Sequence, residues 1–113
     1  MVINIGLKKT YYTLKNHMKS KCKINKYGTQ EWKNYKGELH NENGPAIIFP
    51  NGSKWWFLNG LQHREDDPAF IHPNGHKEWW INNRLHREDG PAVEFTSGTK
   101  HWYLNDRLYI ETS

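Results

Sequence analysis

The side chains best suited to chemistry are gathered in two equivalent runs of the sequence. Residues 86–91 read His-Arg-Glu-Asp-Gly-Pro, and residues 63–68 read His-Arg-Glu-Asp-Asp-Pro. Imidazole beside carboxylate is the composition of general acid–base pairs and of many metal sites. The chemistry that these runs would support is proton transfer, metal binding, or the binding of an anionic ligand by His63, Arg64, His86 and Arg87.

The recurrence of the run argues against a catalytic centre and against a metal site. A catalytic centre is normally needed once, in a pocket, whereas this run is repeated in successive units. Equivalent histidines two strands apart would be separated by about 10 Å, but two ligands of one zinc ion need nitrogen atoms within about 4 Å of each other. Cys22 is a lone thiol to which no base can be assigned. We therefore expect no enzymatic activity, no cofactor and no metal.

Two interpretations of the run remain open. In the first it is a structural bend, in which Asp-Gly-Pro makes the turn, the arginine pairs with a neighbouring carboxylate and the histidine packs between strands. In the second, His63, Arg64, His86 and Arg87 form a ladder that binds an anionic ligand or partner.

An internal repeat positions these side chains. Two sets of equivalent positions share the same regular spacing along the chain, Gly28, Gly52, Gly75 and Gly98, and Trp32, Trp56, Trp79 and Trp102. His40, His63 and His86 keep this step, as do three Pro-Ala pairs that begin at Pro45, Pro68 and Pro91. The 113 residues allow one domain, which we divide into a basic capping segment, 1–26, and a repeat array, 27–113, with units 27–50, 51–73, 74–96 and 97–113.

Two turn signals in each unit predict β-hairpins. One lies at Gly52 and its equivalents, and the other at Lys36-Gly37, Asn59-Gly60, Asn82-Asn83 and Asn105-Asp106. Asn and Gly tolerate the positive φ of tight type I′ turns, and the segments between the turns are short and aromatic, as in strands. Equivalent residues align only if each unit contributes an even number of antiparallel strands. We therefore predict a mainly β fold, a single elongated, twisted antiparallel sheet of repeated hairpins, with a bend at each Gly-Pro.

Side-chain alternation assigns residues to the two faces of each outgoing strand. The repeated pairs Trp56 with Leu58 and Trp79 with Ile81 are the expected core stripe. The opposite face is also aromatic, and two interpretations of it stay open: the curled sheet or the N-terminal segment covers it, or it is an exposed strip for a partner. The candidate residues of this strip are Trp55, Phe57, Trp80 and Tyr103.

The net charge of +4 is unevenly distributed. Residues 1–26 carry seven lysines and no acid, whereas residues 27–113 carry nine basic and twelve acidic side chains. This segment is predicted to be a cap, either an amphipathic helix over 7–21 or strands that include 11–16. Its lysines either protect a sheet edge or bind anions; the candidates are Lys8, Lys9, Lys15 and Lys19. The start has no basic lead and no long apolar run, so we expect no membrane association and a cytoplasmic location.

Residues 79–92, Trp-Trp-Ile-Asn-Asn-Arg-Leu-His-Arg-Glu-Asp-Gly-Pro-Ala, resemble the divergent Leu-His-Arg-x-Asp-Gly-Pro-Ala repeats related to MORN repeats. Such repeats occur in bacteriophage and giant-virus proteins, and the resemblance covers about residues 27–113. The chain departs from the pattern at Asp67, where glycine is expected, and at Asn41, where arginine is expected. The resemblance implies non-enzymatic scaffolding or binding, and a small viral accessory protein in the host cytoplasm.

These observations favour a non-catalytic binding protein whose partner is a protein or a ribonucleoprotein. In a phage setting it would inhibit a host defence complex such as a CRISPR ribonucleoprotein, by protein–protein or nucleic-acid-mimicking contacts. A nucleotide-sequestering protein that holds its ligand between aromatic rings and His or Arg side chains is an alternative. Another is RNA or DNA binding by the lysine-rich segment. A further alternative for the partner is a second copy of the chain, in a dimer formed through the edge-strand residues 103–110.

Overall fold

The computed structural model describes residues 19–112, and every regular element in that range is a strand. The strands are β1 (Lys21–Ile24), β2 (Gln30–Lys33), β3 (Ile47–Ile48), β4 (Lys54–Trp55), β5 (Phe57–Leu58), β6 (Leu61–Gln62), β7 (Phe70–Ile71), β8 (Lys77–Glu78), β9 (Trp80–Ile81), β10 (Arg84–Leu85), β11 (Val93–Glu94), β12 (Lys100–Leu104) and β13 (Arg107–Thr112). The mainly β prediction is confirmed. Residues 7–18, where a helix or strands were expected, lie outside the described range.

Nine strands form one antiparallel sheet, in the order β1-β2-β3-β4-β7-β8-β11-β12-β13. The hairpins β5–β6 and β9–β10 form two separate two-stranded ladders instead of extending the main sheet. The molecule measures 62 × 39 × 17 Å, so it is long and thin. The expected antiparallel array of hairpins is therefore present. In the second and third units, the hairpin tips form two-stranded ladders that are separate from the main sheet.

The two turn sites have different geometries. At Asn59-Gly60, Asn82-Asn83 and Asn105-Asp106 both central residues have positive φ, between 47° and 81°, so these are the predicted type I′ turns. At the other site only the glycine is left-handed, as in Gly52 at φ 92°. There Phe49 N donates to Ser53 O while Gly52 N donates to Phe49 O. The prediction of a type I′ turn is therefore wrong at the Gly52 site, because a longer tip needs only one left-handed residue to close. It is also wrong at Lys36-Gly37, where only Gly37 has a positive φ, of 80°.

Each bend is a loop that closes on one tryptophan. In the third unit, Glu78 pairs with Val93 and Trp80 pairs with Leu85, so Trp79 alone faces residues 86–92. Trp79 N donates to Ala92 O, and Trp79 O accepts a hydrogen bond from His86 N. Residues 63–69 close on Trp56 through the equivalent pair of bonds, as do residues 40–46 on Trp32. We call these segments the bend loops.

The fourth unit has no bend loop. Its return strand β13 pairs directly with β12, with one register shift that leaves Tyr109 as a single extra residue. The chain has Ile110-Glu111-Thr112 after Tyr109 and lacks the Gly-Pro-Ala that turns the chain in the third unit. Without a proline to remove a ladder donor, the strand continues straight and only a β-bulge remains.

The buried residues are small or lie along the main sheet. Ala46, Ala69 and Ala92 have no exposed surface, and Ile47, Trp79 and Val93 are less than a tenth exposed. The expected core stripe is therefore only partly correct: Trp79 is buried, but Leu58 is 36% exposed. A sheet 17 Å thick cannot bury both of its faces, so its large side chains shield one another. Within the described range, no helix is long and apolar enough to span a membrane.

Candidate functional site

An arginine side chain fills each of the two later bend loops. Arg87 Nη1 donates to Pro91 O at 3.1 Å, and its Nε donates to Asp89 Oδ1 at 3.3 Å. The guanidinium carbon lies 3.9 Å from the centroid of the Trp79 ring, a cation–π contact. Arg64 repeats this arrangement, with its Nη1 on Pro68 O at 3.1 Å and its guanidinium 3.9 Å over Trp56. Both arginines therefore brace their own loops.

The residue three positions after each loop arginine differs between units, and the loop adapts to it. A Cβ atom at Gly90 would lie 2.8 Å from Arg87 Cζ, so the guanidinium occupies the space that a side chain would take. Asp67 stands at the equivalent position of the second unit, and there Asp66 adopts a left-handed φ of 63°. In the first unit Asn41 replaces the arginine, and its Nδ2 donates to Pro45 O at 3.0 Å. Asp67 and Asn41, the two departures from the repeat pattern, are therefore each accommodated in a bend loop that stays closed.

The loop histidines join neighbouring units. His63 Nδ1 accepts a hydrogen bond from Asn82 N at 3.1 Å, and His40 and His86 accept equivalent bonds from Asn59 N and Asn105 N. An Nδ1 atom that accepts from a backbone amide carries no hydrogen, so the neutral ring keeps its hydrogen on Nε2. In His63 that nitrogen lies 2.8 Å from Glu65 Oε1. Both ring nitrogens are therefore occupied by internal partners.

The candidate residues His63, Arg64, His86 and Arg87 all lie in bend loops and make structural contacts there. This geometry is that of the structural-bend interpretation, with the arginine on a carboxylate and the histidine between units. Grooves of about 440 and 500 Å³ lie beside the loops, but they are open and lined by exposed acids such as Glu65. Within residues 19–112 no group of three His, Cys, Asp or Glu side chains is arranged to hold a metal ion.

The predicted aromatic strip forms a continuous row of rings. Neighbouring centroids lie 4.8–6.2 Å apart, in tilted or edge-on pairs. Each ring is half-buried. The row, which we call the aromatic row, runs through Phe57, Trp55, Phe70, His76, Phe95, His101 and Tyr103.

Three of the four residues predicted for the strip lie in this row. The fourth, Trp80, donates from its indole Nε1 to Glu78 Oε1 at 2.7 Å, and the other oxygen of Glu78 lies 2.7 Å from His76 Nε2. His76 and His101 are two residues from Glu78 and Tyr103 on the outgoing segments, so the same alternation places them on this face, but histidines were not counted among its candidate rings. Phe70 and Phe95 lie on the return segments, to which alternation was not applied. The cross-strand pairing of Phe70 with Trp55 was the signal that could have found Phe70.

A cluster of lysines lies on the same face of the sheet as the aromatic row. Directly opposed residues of an antiparallel pair share a face, and Trp55 is opposed to Ile47, which is opposed to Glu31. Glu31 is opposed to Lys23, and Lys33, two residues further along β2, is opposed to Lys21. We call this side of the sheet the ridge face, and we call Lys19, Lys21, Lys23 and Lys33 the lysine cluster.

The lysine cluster lines a groove of about 350 Å³ together with Glu31 and Tyr35. Lys8, Lys9 and Lys15, which the sequence also marked as candidates, lie outside the described residues, whereas Lys19 belongs to the cluster. On the opposite side of the sheet, which we call the reverse face, Lys54, Lys77 and Lys100 recur on alternate strands.

Glu42 ties the first bend loop to the segment before β1. Its carboxylate accepts a hydrogen bond from Ser20 Oγ at 3.0 Å and lies 3.1 Å from His40 Nε2. Partial burial raises the pKa of Glu42, but hydrogen bonds from its own backbone and from Ser20, together with the charge of His40, outweigh burial. The pKa is therefore lowered from the ordinary value of 4.5.

No protein-family model, no curated protein and no solved structure matches this chain.

Proposed function

We propose that this chain is a non-enzymatic binding protein that holds a protein or ribonucleoprotein partner on its ridge face. The observation that carries the proposal is that the aromatic row and the lysine cluster share one face of a thin sheet. Aromatic side chains are the commonest anchors of protein interfaces, because they bury a large area at small cost in conformational entropy. A flat surface of this kind suits a macromolecule better than a small ligand.

The internal engagement of the reactive side chains supports a binding role over catalysis. Both ring nitrogens of His63 have partners in neighbouring segments, and Arg64 and Arg87 are stacked on tryptophans. The same contacts disfavour a nucleotide-sequestering protein, because one face of Trp56 and one face of Trp79 are already covered by guanidinium groups. The groups that such a ligand would need are therefore used within the fold.

The charge of the ridge face indicates the kind of partner. The lysine cluster gives one end a positive potential, which favours a partner that presents carboxylates or phosphates next to an apolar patch. A host defence ribonucleoprotein is the partner of this kind that we propose, since its RNA supplies the phosphates. The setting of a phage accessory protein in the host cytoplasm follows from the repeat resemblance, and the inhibition of such a complex belongs to the same proposal.

Capture of a partner by the full chain, compared with two matched variants, tests the proposal. Tyr103→Ser shortens the aromatic row at one end, and Lys54→Ser alters the reverse face. We expect a stoichiometric partner in lysate from the host, its loss with Tyr103→Ser and its retention with Lys54→Ser, with thermal melts showing that both variants fold. Failure of the folded wild type to capture any partner would contradict the proposal, and so would equal capture by the two variants.

A second candidate function, nucleic-acid binding, is favoured by the groove of the lysine cluster. Several lysines beside Tyr35 offer phosphate contacts with an aromatic ring close by. Binding of single-stranded RNA or DNA by this groove would weaken steeply as salt is added, since each neutralised phosphate releases counterions. The variant Lys21→Ala/Lys23→Ala should lower both the affinity and this salt slope. Salt-independent affinity for RNA and DNA would exclude this function.

A further inference from the structure

Within residues 19–112 the main sheet ends in two edge strands, which are protected to different degrees. The edge strand β1 carries Lys21 and Lys23, and charged side chains of this kind discourage pairing with another sheet. The other edge strand, β13, is the longest strand described, and three consecutive apolar side chains along it are 45–48% exposed. These are Leu108, Tyr109 and Ile110. This edge carries no lysine and no proline, and its two charged residues, Arg107 and Glu111, lie on either side of the apolar stretch.

Two residues of β13 direct their backbone groups away from the sheet. In an antiparallel ladder, a residue whose N–H and C=O point towards one neighbouring strand presents no backbone hydrogen-bonding group to the strand on its other side. The carbonyls of His101 and Tyr103 accept hydrogen bonds from Ala92 N and Arg87 N, on the side of the third unit. Their partners on β13, Glu111 and Leu108, therefore present N–H and C=O to solvent.

The third unit shows what such outward groups bind. Leu85 is the equivalent of Leu108 one unit earlier, and its N–H and C=O pair with the side chain and the backbone of Asp106. This pair of bonds joins the third and fourth units. In the part of the chain that the structure describes, no further unit follows Leu108 to repeat the bond.

The bulge at Tyr109 restricts which strand can pair with this edge. In a regular strand the outward-facing residues recur every two positions. In β13 they are three positions apart, at Leu108 and Glu111, because the bulge inserts one residue between them. A regular strand can therefore form backbone hydrogen bonds with only one of these two residues. A strand with the same bulge, running antiparallel, matches both.

We propose that β13 is a self-association edge that pairs with β13 of a second copy of this chain about a twofold axis. Leu108 of each copy is opposed to Glu111 of the other, which allows four backbone hydrogen bonds. Tyr109 of each copy is then opposed to Ile110 of the other, so that four exposed apolar side chains become buried at the centre. The main sheet continues through the axis from one copy to the next, and this proposal is independent of the partner-binding role.

Sedimentation of the full chain over a range of concentrations tests the dimer. We expect a reversible species of twice 13.5 kDa. Ile110→Lys should give a monomer, since it places two ammonium groups at the apolar centre. Ile24→Lys is the matched control, because Ile24 is 67% exposed on the opposite edge strand, and it should leave the dimer intact.

A backbone variant separates strand pairing from apolar contact. Glu111→Pro removes the outward N–H and should also give a folded monomer, as judged by tryptophan fluorescence. A wild type that stays monomeric at high concentration would refute the proposal. So would a dimer that survives Ile110→Lys but not Ile24→Lys, or growth into long assemblies, which would indicate head-to-tail pairing of unlike edges.

Discussion

Replacement of Gly90 by alanine tests how strongly Arg87 braces its bend loop. The new Cβ atom would lie 2.8 Å from Arg87 Cζ, which is closer than two carbon atoms can approach, and 3.0 Å from Nε and Nη1, which is a tight contact. If the guanidinium leaves, the chain loses a charged hydrogen bond to Pro91 O, about 1.5–3 kcal/mol, and a stacking contact on Trp79, about 0.5–2 kcal/mol.

The second unit shows a less costly response. Asp67 carries a Cβ atom at the equivalent position, yet Arg64 remains 3.9 Å from the centroid of the Trp56 ring, because Asp66 adopts a φ of 63°. A left-handed residue other than glycine costs about 1–2 kcal/mol. Since this is less than the loss of the arginine contacts, we expect Gly90→Ala to lower the free energy of unfolding by about 1–2 kcal/mol.

Urea denaturation followed by tryptophan fluorescence measures this loss, with two matched variants. Gly44→Ala changes the equivalent residue of the first unit, where the new Cβ atom meets Asn41 Nδ2 at 3.6 Å, an ordinary contact. It should be neutral or stabilise by up to about 1 kcal/mol. In a chain that already carries Asp89→Gly, the further change Gly90→Ala should cost much less than it does in the wild type, because a glycine at position 89 takes a left-handed φ freely. The reasoning fails if Gly90→Ala and Gly44→Ala have equal effects on the free energy of unfolding. It also fails if Gly90→Ala costs as much in the Asp89→Gly background as in the wild type.

Four further variants examine the joints between units and the contacts of Glu42. Asn83→Gly keeps the left-handed φ of the turn and removes the oxygen that accepts from Gln62 N and Gln62 Nε2, so it should cost about 1 kcal/mol. Asn83→Ala also adds backbone strain and should cost about 1 kcal/mol more in the same denaturation assay. His63→Phe removes the acceptor of Asn82 N, and amide hydrogen exchange at Asn82 should accelerate while exchange at Asn59, bonded to His40, stays unchanged. Because the pKa of Glu42 is lowered in the folded state, its contribution to stability is complete above pH 4.5 and is lost as the pH falls through the folded pKa. Glu42→Gln should therefore show a smaller loss of stability than the wild type below pH 4.5, and parallel curves would refute this.

The array of hairpins was predictable because its signals are local. Asn82-Asn83 and its equivalents tolerate positive φ wherever they occur, and the regular step between equivalent positions is visible in the sequence alone. The filling of the bend loops was not predictable in detail, since it depends on where Arg87 reaches after the chain has turned. An arginine followed by glycine at the third position and proline at the fourth was the available clue. This pattern does not by itself show that the arginine stacks on Trp79, because the two side chains are brought together only by the folding of the chain.

The faces were predicted less well, for a related reason. Alternation placed Trp55, Phe57 and Tyr103 on one side of the outgoing strands, and their rings do lie in one row. It also assigned Leu58 to a core that a sheet of this thickness cannot provide, because burial depends on what packs against a side chain and not on its period. The row gains Phe70 from the return strand, which a single-strand pattern does not include.

The joint between units has a consequence for how such a chain can lengthen by gene duplication. A copied unit from the middle of the chain brings with it both an asparagine amide that donates and an imidazole that accepts, so the new joint is complete at once. A copy of the fourth unit would not form this joint, because Tyr109 stands where the other three units have a histidine. Growth is therefore expected by duplication of the second or third unit, with the fourth unit carried along unchanged.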